Sequence, residues 1–340
     1  MSAWKFVVMS SCHHIVMSMG AIMSIAALLL TSCEYKDLCY DHDHDPDYTA
    51  MLMLELKLDL DVDLDVSIEA HTKIVAPEYM KVCFYDPKSG ALRYTEFVKG
   101  SSGPLHTPPG TYNMVIYSFG TEWTQIRGEN DINDLEAFTS DITGTKGAAL
   151  SGFTRSGEYE APGPIIYTPD HLLVANEQVT IPVLSKENAI VTIKAHAATI
   201  VETYGFKVTN IDGVEYIASV EAFVTNQARG NFLGKGERNA NPASLYFPVE
   251  VNRTEKCLET TFNTFGKLPG ESRSYLHILI TGTDGTEVRV STDITDQFEE
   301  TGHEIIIDDQ IVIPKPKGEG GGIAPTVDPW EEENHDVPIG

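Results

Sequence analysis

Basic side chains are scarce in this chain of 340 residues. Lys and Arg number 24 against 50 Asp and Glu, for a formal charge of −26. Nucleic acids and anionic bilayers are held by clustered cations, and no such cluster occurs, so neither is expected as a partner through a basic patch. Cysteine is sparse, at 5 residues. No Cys-x-x-Cys pair exists, which excludes a thiolate zinc motif and a dithiol redox motif. Catalytic signatures are missing too. His303-Glu304 runs on into Ile305-Ile306-Ile307, without the second His of a zinc-protease helix. Gly266-Lys267 is followed by Leu268 and no Gly stands at position 261, so there is no phosphate loop. There is no Gly-x-Ser-x-Gly elbow. Carboxylates are too numerous for a glycosidase pair to be located. The chain is expected not to be an enzyme and to carry no cofactor.

Hydrophobic residues make up 42% of the chain, enough to build cores. The first 32 residues stand apart. They hold one charged side chain, Lys5, and an apolar run from Ile15 to Leu30. That run is short of the roughly 20 residues a membrane span needs, and it reads as the middle of a signal peptide. It ends at Leu30-Thr31-Ser32-Cys33, which matches the box at which a lipoprotein leader is cut and the Cys acylated. Cys33 is the expected lipidation site. Several acyl chains on one Cys would anchor the protein stably, where one alone would not. Cys12 leaves with the leader, so Cys39, Cys83 and Cys257 remain and allow at most one internal disulfide.

A polar leash over residues 33–50 follows, with Asp41-His42-Asp43-His44-Asp45 inside it. His42 and His44 are the weak candidates for a metal. In an extended chain both face one side and the Asp residues the other, and no turn closes a four-ligand site, so no metal centre is expected. From Leu52 to Val66 every even position is apolar, and the odd positions from Glu55 to Asp65 are charged. Strict alternation predicts a strand with one buried face. Asp59, Asp61, Asp63 and Asp65 have the spacing of a calcium loop. However, position six is Leu64 rather than Gly, so they read as a solvated acidic face that also discourages edge pairing. Fifteen residues would span about 50 Å, which predicts a bend between two sheets or a very long edge.

The rest keeps a strand rhythm. Runs are predicted near 79–85, 92–98, 111–119, 179–184, 189–195, 205–211, 216–224, 244–251, 257–265, 275–282, 286–294 and 304–313. Turn signals such as Pro108-Pro109-Gly110 and Thr283-Asp284-Gly285 separate them. One short helical piece is predicted at 132–138. The expected class is all-β, with two tandem β-sandwich domains at 51–186 and 187–314. A Gly-rich, acidic tail over residues 315–340 cannot pack a core and is expected to be flexible.

Several segments then combine. They are Cys33 to Asp45, Pro108-Pro-Gly-Thr-Tyr-Asn-Met-Val-Ile-Tyr117, Thr261-Phe-Asn-Thr-Phe-Gly266, Thr292-Asp-Ile-Thr-Asp-Gln-Phe298, the closing strand to Pro314, and the tail with Trp330. Together they resemble a lipoprotein family of unknown function from Bacteroidales, related to FimB-like fimbrial anchor and tip subunits. The resemblance implies transthyretin-like sandwiches, an outer-membrane anchor at Cys33 facing the cell surface, and fimbrial subunits or other surface proteins as partners, joined by β-strand addition. It further implies that stalk subunits are cut at an Arg near the N-terminus. No Arg occurs between Cys33 and Arg93, and a cut at Arg93 would remove the whole alternating strand. An anchor or accessory subunit that keeps its lipid is therefore expected. The alternative is a surface lipoprotein that captures glycans on exposed aromatics, for which Trp123 and Trp330 are the tryptophans outside the leader.

Overall fold

The computed structural model describes residues 50–60, 74–144, 146–148, 150, 163–183, 190–270, 273–298 and 303–316. All of them belong to the compact unit Thr49–Gly340. The other unit, Met1–Tyr48, lies outside the described residues, as do 317–340. The described chain is nearly all β, as the alternation predicted.

The first sheet uses β1 (Ala50–Leu58), β2 (Tyr79–Tyr85), β3 (Leu92–Lys99), β4 (Ser102–Thr107), β5 (Gly110–Ser118), β9 (Leu173–Ile181) and β10 (Ile190–Thr199). Their order is β3-β2-β5-β9-β10-β1-β4. Pairing between β9 and β10 covers Ala198↔Val174 and Thr199↔Leu173 alone, and β3 and β4 are joined by a tight turn at Gly100. The sheet therefore curls round one apolar cluster, which includes Leu52, Leu54, Met80, Phe84, Leu105, Met114 and Ile116. The two sequence neighbours β3 and β4 lie at its opposite ends.

The second half has a four-stranded sheet, in the order β17-β18-β11-β21, and a five-stranded one, in the order β20-β19-β13-β16-β8. The first comprises β11 (Glu202–Val208), β17 (Glu250–Asn252), β18 (Cys257–Thr264) and β21 (Glu304–Ile307). The second comprises β8 (Ile165–Tyr167), β13 (Ile217–Ala228), β16 (Pro242–Pro248), β19 (Tyr275–Gly282) and β20 (Glu287–Asp293). Both sheets feed one core, in which Phe247 stacks on Phe262 and meets Phe206 edge-on, and Ile278, Ile280 and Ile305 are fully buried. A short parallel pair, β12 (Ile211–Asp212) with β22 (Ile311–Val312), closes one end.

The halves are interleaved. β10 follows the expected seam yet runs in the first sheet, and β8 precedes it yet pairs with β16. A further sheet is shared, since the hairpin of β6 (Gln125–Arg127) and β7 (Glu136–Phe138) pairs with that of β14 (Gly230–Phe232) and β15 (Glu237–Arg238). A third cluster, with Tyr85, Tyr117, Leu135, Val201, Leu233 and Phe265, packs between them.

Three expectations are corrected. Residues 132–138 are not helical. Asp131 Oδ1 accepts the Asn133 N–H at 2.8 Å, making an Asx turn, and Glu136–Phe138 is then drawn into a strand. Helical residues occur instead at 144, 146–148 and 150. The described part of the alternating strand ends at Leu58, where its pairing stops. β4 pairs only as far as Glu55, and β10 as far as Leu58. Residues 61–66 lie outside the described residues. The predicted run at 304–313 is likewise two strands, broken at 308–310.

Candidate functional site

The element with the clearest functional geometry is β1. Over its described residues it is a central strand, paired on both sides. On one side it runs parallel to β10, from Met51↔Ile190 to Leu58↔Ala197. On the other it is antiparallel to β4, from Ala50↔Thr107 to Glu55↔Ser102. Ladder bonds continue past the pairing, with Leu56 N–H to Ser101 O at 2.7 Å and Asp59 N–H to Ala197 O at 2.9 Å. Leu52 and Leu54 are fully buried and Leu56 nearly so, while Glu55 and Lys57 are exposed. The strand thus fills a slot defined by main-chain bonds on two sides and pockets for alternate side chains, the geometry that strand addition uses.

A second group, part-buried at Lys81 and Glu129 and buried at Cys83, Tyr85 and Tyr117, lies where the outer face of the first sheet meets the second half. Lys81 Nζ and Tyr117 Oη both donate to Glu129 Oε1, Tyr85 Oη donates to Glu129 O at 3.1 Å, and Cys83 Sγ lies 4.0 Å from Tyr117 Oη. Burial pushes the Cys83 thiol and the Tyr85 and Tyr117 phenols up. Burial also opposes ionisation of Glu129, but the bonds from Lys81 and Tyr117 outweigh it and hold the carboxyl below its usual value. A thiol kept protonated is a poor nucleophile, so this cluster joins strands rather than doing chemistry.

His171 ties three segments together. Its Nδ1 is 3.1 Å from Thr199 Oγ1 and its Nε2 is 3.1 Å from Thr203 Oγ1, and Thr203 Oγ1 donates to Asn263 Oδ1 at 2.8 Å. Burial disfavours the imidazolium more than neighbouring Asp170 favours it, so its pKa is lowered. The unfolded chain takes the proton first, near the ordinary value of 6.5, while the fold resists. Stability from this group is therefore complete above 6.5 and falls with pH down to the lowered folded value. The melting temperature of the wild type is expected to drop more steeply from pH 7.5 to 5 than that of His171→Gln. Equal slopes would show that His171 is not the titrating group.

Of the residues singled out in the sequence, Cys33, Cys39, His42, His44, Asp61, Asp63, Asp65 and Trp330 lie outside the described residues. Among the described residues no group of His, Cys, Asp and Glu has metal-binding geometry. Cys83 and Cys257 are both buried and free, so they do not pair with each other. Trp123 stacks on Tyr167 at 4.6 Å, which occupies one of its faces.

Sequence reasoning missed an exposed aromatic face. Tyr79 lies 6.4 Å and Phe97 5.4 Å from Phe119, between ring centroids. These rings come from β2, from β3 and from just beyond β5. Only the strand register, Lys81↔Phe97 and Met80↔Ser118, brings them together.

The family model described as a domain of unknown function, DUF5119, matches residues 32–248. A Bacteroides ovatus protein described as a candidate fimbrium anchoring subunit, Fim4B, is 23% identical over 300 residues, which cover 77% of this chain and 85% of the relative. The crystal structure of a candidate adhesin from Bacteroides ovatus aligns with a TM-score of 0.54 at 22% identity, covering 78% of this chain and 93% of that one, and it shares the fold. The fimbrial anchor protein Mfa2 from Porphyromonas gingivalis aligns with a TM-score of 0.42 at 13% identity, covering 73% and 83%.

Proposed function

The chain belongs to the DUF5119 family, and from that premise we propose that it is a non-enzymatic fimbrial anchor or accessory adhesion subunit, held on the outer membrane through a lipid on Cys33. The two interleaved cores are read as β-sandwich domains of transthyretin-like type, near 51–186 and 187–314 but exchanging β8 and β10. The observation that carries the reading is the seated β1. The resemblance implies that stalk subunits lose such a strand by a cut at Arg, whereas here β1 is seated on both sides and no Arg lies between Cys33 and the end of β1. The first Arg after Cys33 is Arg93, inside β3 and bonded to Asp86 Oδ2 at 3.0 Å. A cut there would take β2 as well as β1 from the sheet. The relative described as a fimbrium anchoring subunit supports the same reading.

Purification from native cells under mild conditions tests it. Co-purification with a polymeric shaft, and a mature N-terminus at Cys33 by mass spectrometry, are the expected results. A mature chain that begins beyond Leu58 would overturn the anchor reading, and a free monomer that binds a glycan array would favour glycan capture. Cys33→Ala is expected to move the protein from the membrane fraction to the soluble fraction almost completely, since the remaining chain has no basic patch to hold a bilayer.

A further inference from the structure

The outer face of the first sheet changes character along its length. At one end Cys83, Tyr85, Val115 and Tyr117 are buried against the second half. Further along β2, just past the end of β5 and on neighbouring β3, the same face carries Tyr79, Phe119 and Phe97, at 39, 41 and 55% exposure. An aromatic face of this kind is unusual on a monomer's surface and marks contact with another molecule. It borders a cleft of about 630 Å³ between residues 74–79 and 118–122. The cleft adds Ile74, Val75 and Pro77 to the apolar lining, and Val75 is 87% exposed.

The charges round the cleft are one-sided. Among the described residues Glu78, Glu122 and Asp170 line it, with no Lys or Arg. Asp170 accepts the Trp123 and Thr124 N–H groups at 2.6 and 3.1 Å, and the side chains of Glu78 and Glu122 are exposed. Lys99 stands opposite Tyr79 on the rim but outside the lining, and Lys81 is held by Glu129. Lys81 Nζ lies 5.9 Å from the centre of the Phe97 ring, so the protein itself already sets a cation beside this aromatic group.

We propose that this cleft and its aromatic face dock a polypeptide segment of a partner protein in which Lys or Arg alternates with apolar side chains. The apolar groups cover Phe97, Phe119 and Val75, and the cations meet Glu78 and Glu122 or lie over the rings. Charge separates this occupant from the others available. Residues 61–73 of this chain carry Asp61, Asp63, Asp65 and Glu69 against Lys73, and residues 317–340 carry six acids against Lys317. Both would be repelled by the rim, and so would a second copy with a formal charge of −26. The buried cleft side chains are already engaged, with both His171 nitrogens and the Asn263 amide bonded inside the protein, so they are not available to a sugar. The inference stands on this surface and does not depend on the fimbrial reading.

The test is titration of the full chain in mild detergent, by calorimetry, with three defined probes. These are a hexapeptide alternating Lys and Val, its counterpart alternating Glu and Val, and maltoheptaose. The Lys peptide is expected to bind at least ten-fold tighter than the Glu peptide, and to weaken as salt rises. Phe119→Ser and Phe97→Ser should each weaken it about ten-fold. The double variant Glu78→Gln with Glu122→Gln should weaken it several-fold and flatten the salt dependence. Tyr94→Ser, an exposed ring packed on Tyr112 instead, should leave it unchanged. These positions are on the surface, and an unaltered melting temperature verifies the fold. Equal binding of the two peptides, binding of maltoheptaose that depends on Phe119, or no binding of the Lys peptide at millimolar concentration each overturns the proposal.

Discussion

Leu54→Asp is expected to unfold the first half of the protein at 25 °C, while Lys57→Asp, three residues along the same strand, changes the melting temperature by no more than a degree or two. Leu54 is fully buried in the cluster with Leu52, Leu105 and Ile116. Replacing it removes about 2–5 kcal/mol of burial and packing. It also places a carboxylate where no partner is available, which costs several kcal/mol more or forces the group to stay neutral. Together these approach the whole stability of an ordinary domain, about 5–15 kcal/mol. Lys57 projects from the other face and is exposed, so the same new charge there meets water. Circular dichroism and a thermal melt distinguish the two. If both variants melt together, β1 is not seated as described, and the anchor reading loses the observation that carries it.

A related outcome bears on function. Strand addition in trans supplies main-chain bonds to β10 and β4 as well as side-chain pockets. A synthetic peptide of residues 50–60 is therefore expected to restore native circular dichroism to the Leu54→Asp chain. The same peptide with Asp at Leu52 and Leu54 should not. Restoration by both peptides would mean that the slot reads backbone alone.

The strand itself was legible because its period was strict. Leucines at 52, 54, 56 and 58 against charge at 55 and 57 leave a single choice of buried face. Its neighbours were not legible. Ile193, Ala195 and Ala197 of β10 alternate as any half-buried strand does, and alternation fixes a face without naming the sheet it joins. β4 contains Gly103 and Pro104, residues depleted in strands, and no run is predicted there. It pairs with β1 because the chain reverses at Gly100, whose φ is 65°. At 132–138 the spacing Ile132, Leu135, Phe138 imitates one face of a helix. What decides against it is remote, since Ala137 lies opposite Asn231 in a strand nearly a hundred residues away. The aromatic face was hidden for the same reason. Tyr79, Phe97 and Phe119 have no common spacing, and only antiparallel register makes them one surface. Local pattern carried the strands, and long-range pairing carried the sites.

Glu136→Ala is expected to lower the melting temperature by about 5–10 °C. Glu136 is buried where the hairpin of the first half meets that of the second. Its Oε2 accepts from Arg127 Nε at 2.7 Å and its Oε1 from Asn239 Nδ2 at 2.5 Å. The packing there is close enough that a Cβ on Gly230 would stand 2.4 Å from Ala137 O and 2.7 Å from Glu136 Oε1. Removing the carboxylate leaves the Asn239 amide buried without an acceptor. It frees Arg127, whose side chain is half exposed and can turn to water while keeping its place over Phe138. The cost is about 2–4 kcal/mol, and in a domain-sized fold each kcal/mol moves the midpoint by about 2–4 °C. Asn239→Ala, which leaves the ion pair intact, should cost about half as much. The double variant should cost less than the two singles together, by about 1 kcal/mol or more. Because the shared sheet joins the halves, the wild type should melt in one transition, and Glu136→Ala should split or broaden it. A single sharp transition with unchanged midpoint would show that the halves are held by their apolar seam alone, with the buried carboxylate contributing nothing to the join.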